Sequence, residues 1–228
     1  TVVSIPITYD TATSIVDKEV VPSNYFVKVN KDNIFAKDNM SVFFPAGTFY
    51  EDFDMNFDVK GDVLFLHDDS VPVHSYFTVT IESDKYTAAQ KGKMFIADID
   101  KSGRKGYNAT TIKGNIFSTR TRELGKYTLA SDTVAPSITI TSQIEGKWIS
   151  SQKTVQFTIG DSGSGIKSYD GYLNGKWILF EHDHKTKKIT HNFDDSIVAE
   201  GANSLKLVVT DNVGNSTTFE TQFFRSQK

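Results

Sequence analysis

The sequence predicts an all-β chain of two tandem antiparallel β-sandwich domains, the second immunoglobulin-like. Three observations carry that expectation: apolar residues recur with period two, turn-forming clusters separate those runs, and a polar connection containing a proline divides the chain. In FDMNFDV (53–59), Phe53, Met55, Phe57 and Val59 alternate with Asp54, Asn56 and Asp58, the pattern of one half-buried strand. FTVTI (77–81), TVQFTI (154–159), SLKLVVT (204–210) and FETQFF (219–224) repeat it, and no long segment carries a helical stripe. The turn clusters are Asp100-Lys101-Ser102-Gly103, Asp161-Ser162-Gly163-Ser164-Gly165 and Asp211-Asn212-Val213-Gly214-Asn215.

The division falls in LGKYTLASDTVAPSITIT (124–141), where a strand ends near Leu129, a polar connection runs through Pro136, and a new strand begins at Ile138. The expected domains are therefore 1–131 and 132–228. The second, of roughly 95 residues, has the length of a seven-strand immunoglobulin-like sandwich. Residues 1–33 hold two short apolar runs, VVSIPI and YFVKV. They either complete another strand layer or form the tail of a preceding domain.

Composition narrows the function classes. The chain has 228 residues, 38% hydrophobic and 12% aromatic, enough for one large core or two small ones. Its 25 basic and 28 acidic side chains give a net charge of −3 with no block of like charge, so neither nucleic acid nor a membrane surface is an expected partner. No apolar run approaches the roughly 20 residues that span a bilayer. Cysteine is absent, which excludes disulfides and thiolate metal sites. The chain opens TVVSIPITYD, with neither an initiator methionine nor a signal segment, the start expected of a processed or truncated piece.

EHDHKTKKITHNFDD (181–195) holds three of the five histidines. His182 and His184, at i and i+2, point the same way on a strand, and His191 with Asp195 adds a His-x-x-x-Asp spacing. Both spacings occur among zinc hydrolase ligands, yet here they lie within 14 residues. The competing reading is a hairpin: strands Lys176 to His182 and Lys188 to Asp194, with a polar turn at Asp183 to Lys187. Trp177, Leu179, Ile189 and Phe193 would then face the core, leaving His184 in solvent at the tip.

Asp132, Asp161, Asp211 and Asn215 raise a calcium question, since loop oxygens at one end of a sandwich can bind that ion. The same residue types also cap turns by accepting backbone N–H groups. The metal candidates are thus His182, His184, His191, Asp161 and Asp211, none of them carrying a complete site by itself. Trp148, Tyr169 and Tyr172, together with Trp177, are candidates for a sugar-stacking platform, against the ordinary fate of such rings in a sandwich core. No Gly-x-Ser-x-Gly elbow, phosphate loop, His-Glu-x-x-His or cysteine nucleophile is present, so no catalytic residue is expected. Three Asn-x-Ser/Thr triplets, at Asn39, Asn108 and Asn215, would matter only in a eukaryotic secretory pathway.

The order of these pieces resembles a family. Asp132 to Pro136, Asp161 to Ile166, Gly175 to Trp177 and Asp211 to Asn215 follow one another as in the immunoglobulin-like domain that ends many secreted lysostaphin-type peptidases of the Bacteroidetes. MSVFFPAGTFYEDFDMNFDV, VPVHSYFTVTIE, KMFIADID and ELGKYTLASDT resemble the domain between that module and the peptidase. The Pro-x-Gly-x-Phe turn there also resembles the sandwich of ankyrins and netrin receptors. The family's zinc motifs occur in the opposite order from that seen here, so no ligand carries over.

The resemblance implies a non-catalytic accessory region of a periplasmic or extracellular cell-envelope enzyme. Its partners would be its own upstream peptidase domain and peptidoglycan or another glycan. Zinc is expected only in that upstream domain, and this fragment is expected to need no cofactor. The alternative is a glycan-binding or adhesin-type surface protein.

Overall fold

The structure, a computed structural model, describes residues 24–193 and 197–226. Twelve strands come from the first half: β1 (Phe26–Val27), β2 (Asn33–Lys37), β3 (Met40–Phe44), β4 (Phe53–Asp54), β5 (Phe57–Lys60), β6 (Val63–Leu66), β7 (Phe77–Glu82), β8 (Met94–Ile99), β9 (Lys105–Asn108), β10 (Thr110–Lys113), β11 (Ile116–Thr121) and β12 (Gly125–Ser131). Eight follow: β13 (Ser137–Ile140), β14 (Thr154–Gly160), β15 (Ile166–Leu173), β16 (Lys176–Ile178), β17 (Glu181–Asp183), β18 (Lys188–Asn192), β19 (Gly201–Asp211) and β20 (Ser216–Arg225). One helical turn, α1 (Ala88–Lys91), is capped by Thr87 and Gln90.

All pairing is antiparallel within the strands, and no sheet mixes strands from before and after Ser131. The first half forms five-stranded sheets in the orders β10-β11-β7-β3-β2 and β5-β6-β12-β8-β9, with β1 and β4 as a short ribbon. The second half forms four-stranded sheets, β13-β14-β18-β17 and β16-β15-β19-β20. The chain is therefore two tandem β-sandwiches.

Alternation decides which side chains enter each core. Phe77, Val79 and Ile81 on β7, and Leu205, Leu207 and Val209 on β19, are all at most 1% exposed, while their neighbours in sequence face outward. Phe44, Phe77 and Phe117 join Leu64, Leu66 and Tyr127 in the first core. The Tyr127 hydroxyl donates to the carbonyl of Glu123, four residues back, and burial pushes its pKa up to about 12. The second core centres on Phe157, Phe180, Ile189, Leu207 and Phe223.

Four expectations are corrected here. FDMNFDV is two strands, because the chain changes partner at Met55 and Asn56: Met55 N–H donates to Tyr25 O at 2.8 Å, and His67 N–H to Asn56 O at 2.7 Å. Alternation persists through the break, with Met55, Phe57 and Val59 all buried. The second sandwich has eight strands, not seven, because the 176–183 segment contributes a short strand to each sheet.

The third correction concerns that segment. Lys176–Ile178 does not pair with the described residues 188–193. It pairs with β15 through the two-residue turn Asn174-Gly175, whose φ values of 52° and 79° are those of a type I′ turn. The chain then crosses to the other sheet, where Glu181–Asp183 pairs with β18. The fourth concerns the side that each residue of this segment faces. Ile178 and Phe180 are buried, while Trp177 and Leu179 are exposed at 56% and 59%. Ile189 and Phe193 do face the core, and His184 is exposed. Gly171 makes the crossing possible, because a Cβ there would lie 2.3 Å from the Phe180 ring.

Of the early apolar runs, YFVKV supplies β1, whose Val27 is in the first core; VVSIPI lies outside the described residues.

Candidate functional site

The loops at one end of the second sandwich meet the last residues of the first. Asp132 follows β12, Asp161 follows β14, and Asp211 ends β19, so three turns that are far apart in sequence converge. One carboxylate oxygen from each lies within 4.8 Å of the others. Asp132 and Asp211 are 4% and 0% exposed.

Hydrogen bonding explains why carboxylates stand there. Asp132 Oδ2 accepts from the Ser164 backbone N–H at 2.7 Å and its hydroxyl at 2.8 Å, and Oδ1 accepts from Val134 N–H at 3.0 Å. Asp161 Oδ2 accepts from the N–H groups of Gly163 and Gly165. Asp211 accepts from the N–H groups of Val213 and Asn215 and from the Asn215 amide. Asp161 Oδ1 is buried and is the one of these six oxygens without a partner among the described residues. The three carboxylates are the residues that could hold a divalent cation, but the N–H donors filling the other five oxygens mark them first as turn caps. Gly163 belongs to the same device, since a Cβ there would lie 2.4 Å from the Asp132 carboxyl carbon.

Burial pushes the Asp132 carboxyl upward, but the Ser164 N–H and hydroxyl, the Val134 N–H and the Asp211 side chain outweigh it. The group therefore sits below its ordinary 3.8. A carboxyl depressed on folding contributes stability that is present above its unfolded value and lost as pH falls through the folded one. Acid titration of stability is expected to show this loss below about pH 4 in the parent chain, and a smaller loss in Asp132→Asn. Equal acid slopes in the two proteins would contradict it. Because turn donors already orient these oxygens, excess EDTA is expected to leave the melting temperature unchanged. A calcium-dependent rise would show instead that a cation completes the cluster.

The same residues hold the connection between the halves, and Asp132 N–H donates to Lys93 O of the first half at 2.9 Å. The Asn215 amide donates to Asp132 O at 3.1 Å and Val134 O at 3.5 Å, and Lys93 Nζ donates to Val213 O at 3.2 Å. Val213 packs on the cluster of Phe95, Ala97 and Ala130 in the first half, which Tyr107 also joins.

The histidine candidates separate. His182 and His184 do share a face, with ring centroids 4.1 Å apart, and His182 meets Tyr169 edge-on at 5.3 Å. They border a groove of ≈ 340 Å³ that also touches Asp161 and Lys187. Burial, then the charge of His184, pushes His182 below its ordinary 6.5. His191, on the same inner face as His182 but further along β18, lies in the core between Phe180 and Phe193, with Nδ1 2.9 Å from Leu179 O, and Asp195 lies outside the described residues. Two imidazoles are half the ligand set of a structural zinc site, so zinc titration is expected to saturate only at roughly tens of micromolar or above. Stoichiometric submicromolar binding would contradict that.

The aromatic candidates divide too. Trp148 is 65% exposed and stacks on Phe224, with centroids 5.4 Å apart. Tyr169 packs against the second core rather than standing outside. Tyr172 faces outward, and its cross-strand partner is Trp177. Sequence reasoning had sent Trp177 inward; the Asn-Gly turn two residues from each ring was the signal that places it beside Tyr172. It also missed Lys206 and Glu220, which continue that row.

Comparison with known proteins bears on the first half. A family model described as a Zu5-like domain matches residues 24–132. That half is similar to the Zu5-like domain. The match includes Pro45-Ala46-Gly47-Thr48-Phe49, the turn that resembles the ankyrin and netrin-receptor sandwich. No curated protein sequence matches the chain. Among solved structures, the fibronectin(III)-like modules of Clostridium thermocellum CbhA align at 13% identity over 92% of this chain and 93% of theirs, with a TM-score of 0.34. Murine CEACAM1b aligns at 8% identity over 65% of this chain and 92% of its own, with a TM-score of 0.29. The tandem Ig repeats of Dlar align at 13% identity over 68% and 89%, with a TM-score of 0.27. No described helix is long and apolar enough to cross a membrane.

Proposed function

We propose that this chain is a non-catalytic accessory module of a secreted cell-envelope zinc endopeptidase, two sandwiches locked end to end that hold an upstream peptidase domain in a set orientation on peptidoglycan. The observation that supports this reading is the junction. A tether that only kept two domains in reach would be solvated, whereas Asp132, Asn215 and Lys93 tie the connection to both sandwiches and Val213 adds an apolar contact. The motif order in both halves supports the choice of parent, and the module acts in the periplasm or outside the cell. Any zinc belongs to the upstream domain.

The test compares the full-length protein with a version lacking residues 24–226. Hydrolysis of insoluble sacculi is expected to fall on deletion, while hydrolysis of a soluble cross-bridge peptide is retained. Equal loss on both substrates, or no peptidase sequence upstream of Thr1, would overturn the reading. A glycan-binding or adhesin-type surface protein is the second reading, favoured by the outward pair Tyr172 and Trp177.

A further inference from the structure

The outer face of the β16-β15-β19-β20 sheet has an arrangement that the positioning role does not use. Register aligns Trp177, Tyr172, Lys206 and Glu220 in one row across four strands. Three strand spacings make that row about 14 Å long. Ser204 and Gln222 are partners in the next outward row, and Ala202 and Phe224 in the one after, where Trp148 stacks on Phe224. Tyr172, Ser204, Lys206, Glu220 and Gln222 line an open depression of ≈ 740 Å³.

Two features decide what fits. Lys206 Nζ and Glu220 Oε1 are 2.9 Å apart, so the one cation and the one anion of the row offset each other, and with Asp170 in the adjacent row opposite Val208 the face has no excess positive charge to attract a polyanion or an acidic peptide. The distribution of polarity is also the reverse of a protein interface, which places aromatic and apolar groups at its centre and polar groups at its rim. Here donors and acceptors fill the centre, while exposed indoles stand at opposite sides. A ligand for this face presents flat C–H surfaces for the rings and many hydroxyl or amide groups for the middle. Pyranose chains have that chemistry.

We propose that this face binds the peptidoglycan glycan strand, a chain of N-acetylhexosamine rings, stacking one sugar on Trp177 beside Tyr172 and another on Trp148. Lys206, Glu220, Gln222 and Ser204 take the hydroxyl and acetamido groups between them. The identity of the sugar rests on the envelope reading above; the stacking geometry does not.

The test titrates the full chain with chitohexaose and with peptidoglycan strands stripped of their peptides. Binding is read by calorimetry and by the emission of the two tryptophans. Saturable binding is expected, weakened about tenfold or more in Trp177→Ala, as for an aromatic anchor, and also weakened in Gln222→Ala. Both residues face solvent, so melting temperatures are expected to stay within a few degrees of the parent. No binding to either probe, binding that Trp177→Ala leaves unchanged, or binding confined to heparin or polyglutamate would each overturn the proposal. If the strands do not bind but deletion of the module still slows sacculus hydrolysis, this inference fails and the positioning role stands. If they bind but deletion changes nothing, the positioning role fails and this inference stands.

Discussion

Phe180→Ala is expected to destabilise the second sandwich by about 3–5 kcal/mol, the range for emptying a buried phenylalanine site. Trp177→Ala is expected to change it by less than about 1 kcal/mol, as for an exposed side chain. The contrast reverses the expectation that Trp177 and Leu179 face the core, and it comes from the pairing of Trp177 with the outward Tyr172 and from the crossing that buries Phe180. Phe180 is 3% exposed, meets Phe157 and His191, and occupies the space that Gly171 leaves open. Denaturant unfolding of the two variants checks it. If Trp177→Ala proved the more damaging, the indole would be in the core and the crossing would be wrong.

Asp132→Ala is expected to cost about 3 kcal/mol in the same sandwich and to loosen the junction. The variant removes a charged acceptor and strands the Ser164 N–H and hydroxyl, on a residue only 2% exposed. Gly163→Ala should produce a smaller loss of the same kind, because its new methyl would displace the Asp132 carboxyl. Thermal unfolding followed by calorimetry checks both. A parent-like melting temperature for Asp132→Ala would mean that water replaces the carboxylate without cost, and that the junction does not depend on it.

Period two was a sound guide wherever a strand stays in one sheet, as it does along β7, β14 and β19. At 176–183 the parity persists through the change of sheet, with Ile178 and Phe180 buried and Trp177, Leu179 and Glu181 exposed, but apolar residues occupy both parities from 177 to 180, so alternation alone does not say which set faces inward. The Asn174-Gly175 turn is legible and fixes Tyr172 opposite Trp177, although the usual place of a sandwich tryptophan in the core points the other way. At 53–59 the alternation gave the buried side chains correctly and missed the break, since the partners that change there, Tyr25 and His67, lie far off in sequence.

The site was legible in pieces. Asp132, Asp161, Asp211 and Asn215 each stand out as turn residues, but their convergence depends on three loops reaching the same end of a sandwich. Strand order decides that, and periodicity does not encode strand order. The pairing of His182 with His184 follows from a two-residue spacing and is observed. His191 lies in the same stretch and, by register, on the same inner face as His182, but two residues further along β18 from the partner of His182, where Phe180 and Phe193 enclose it in the core. Lys206 and Glu220 were silent because their meaning comes only from cross-strand register.

A fixed arrangement of the two sandwiches is the central claim, and distance measurement between paired spin labels tests it most directly. The chain has no cysteine, so labels can be placed at will on exposed positions such as Lys113 in the first half and Lys188 in the second. One narrow distance distribution is predicted for the parent chain, broadening in Asp132→Ala. A broad distribution in the parent chain would contradict the account.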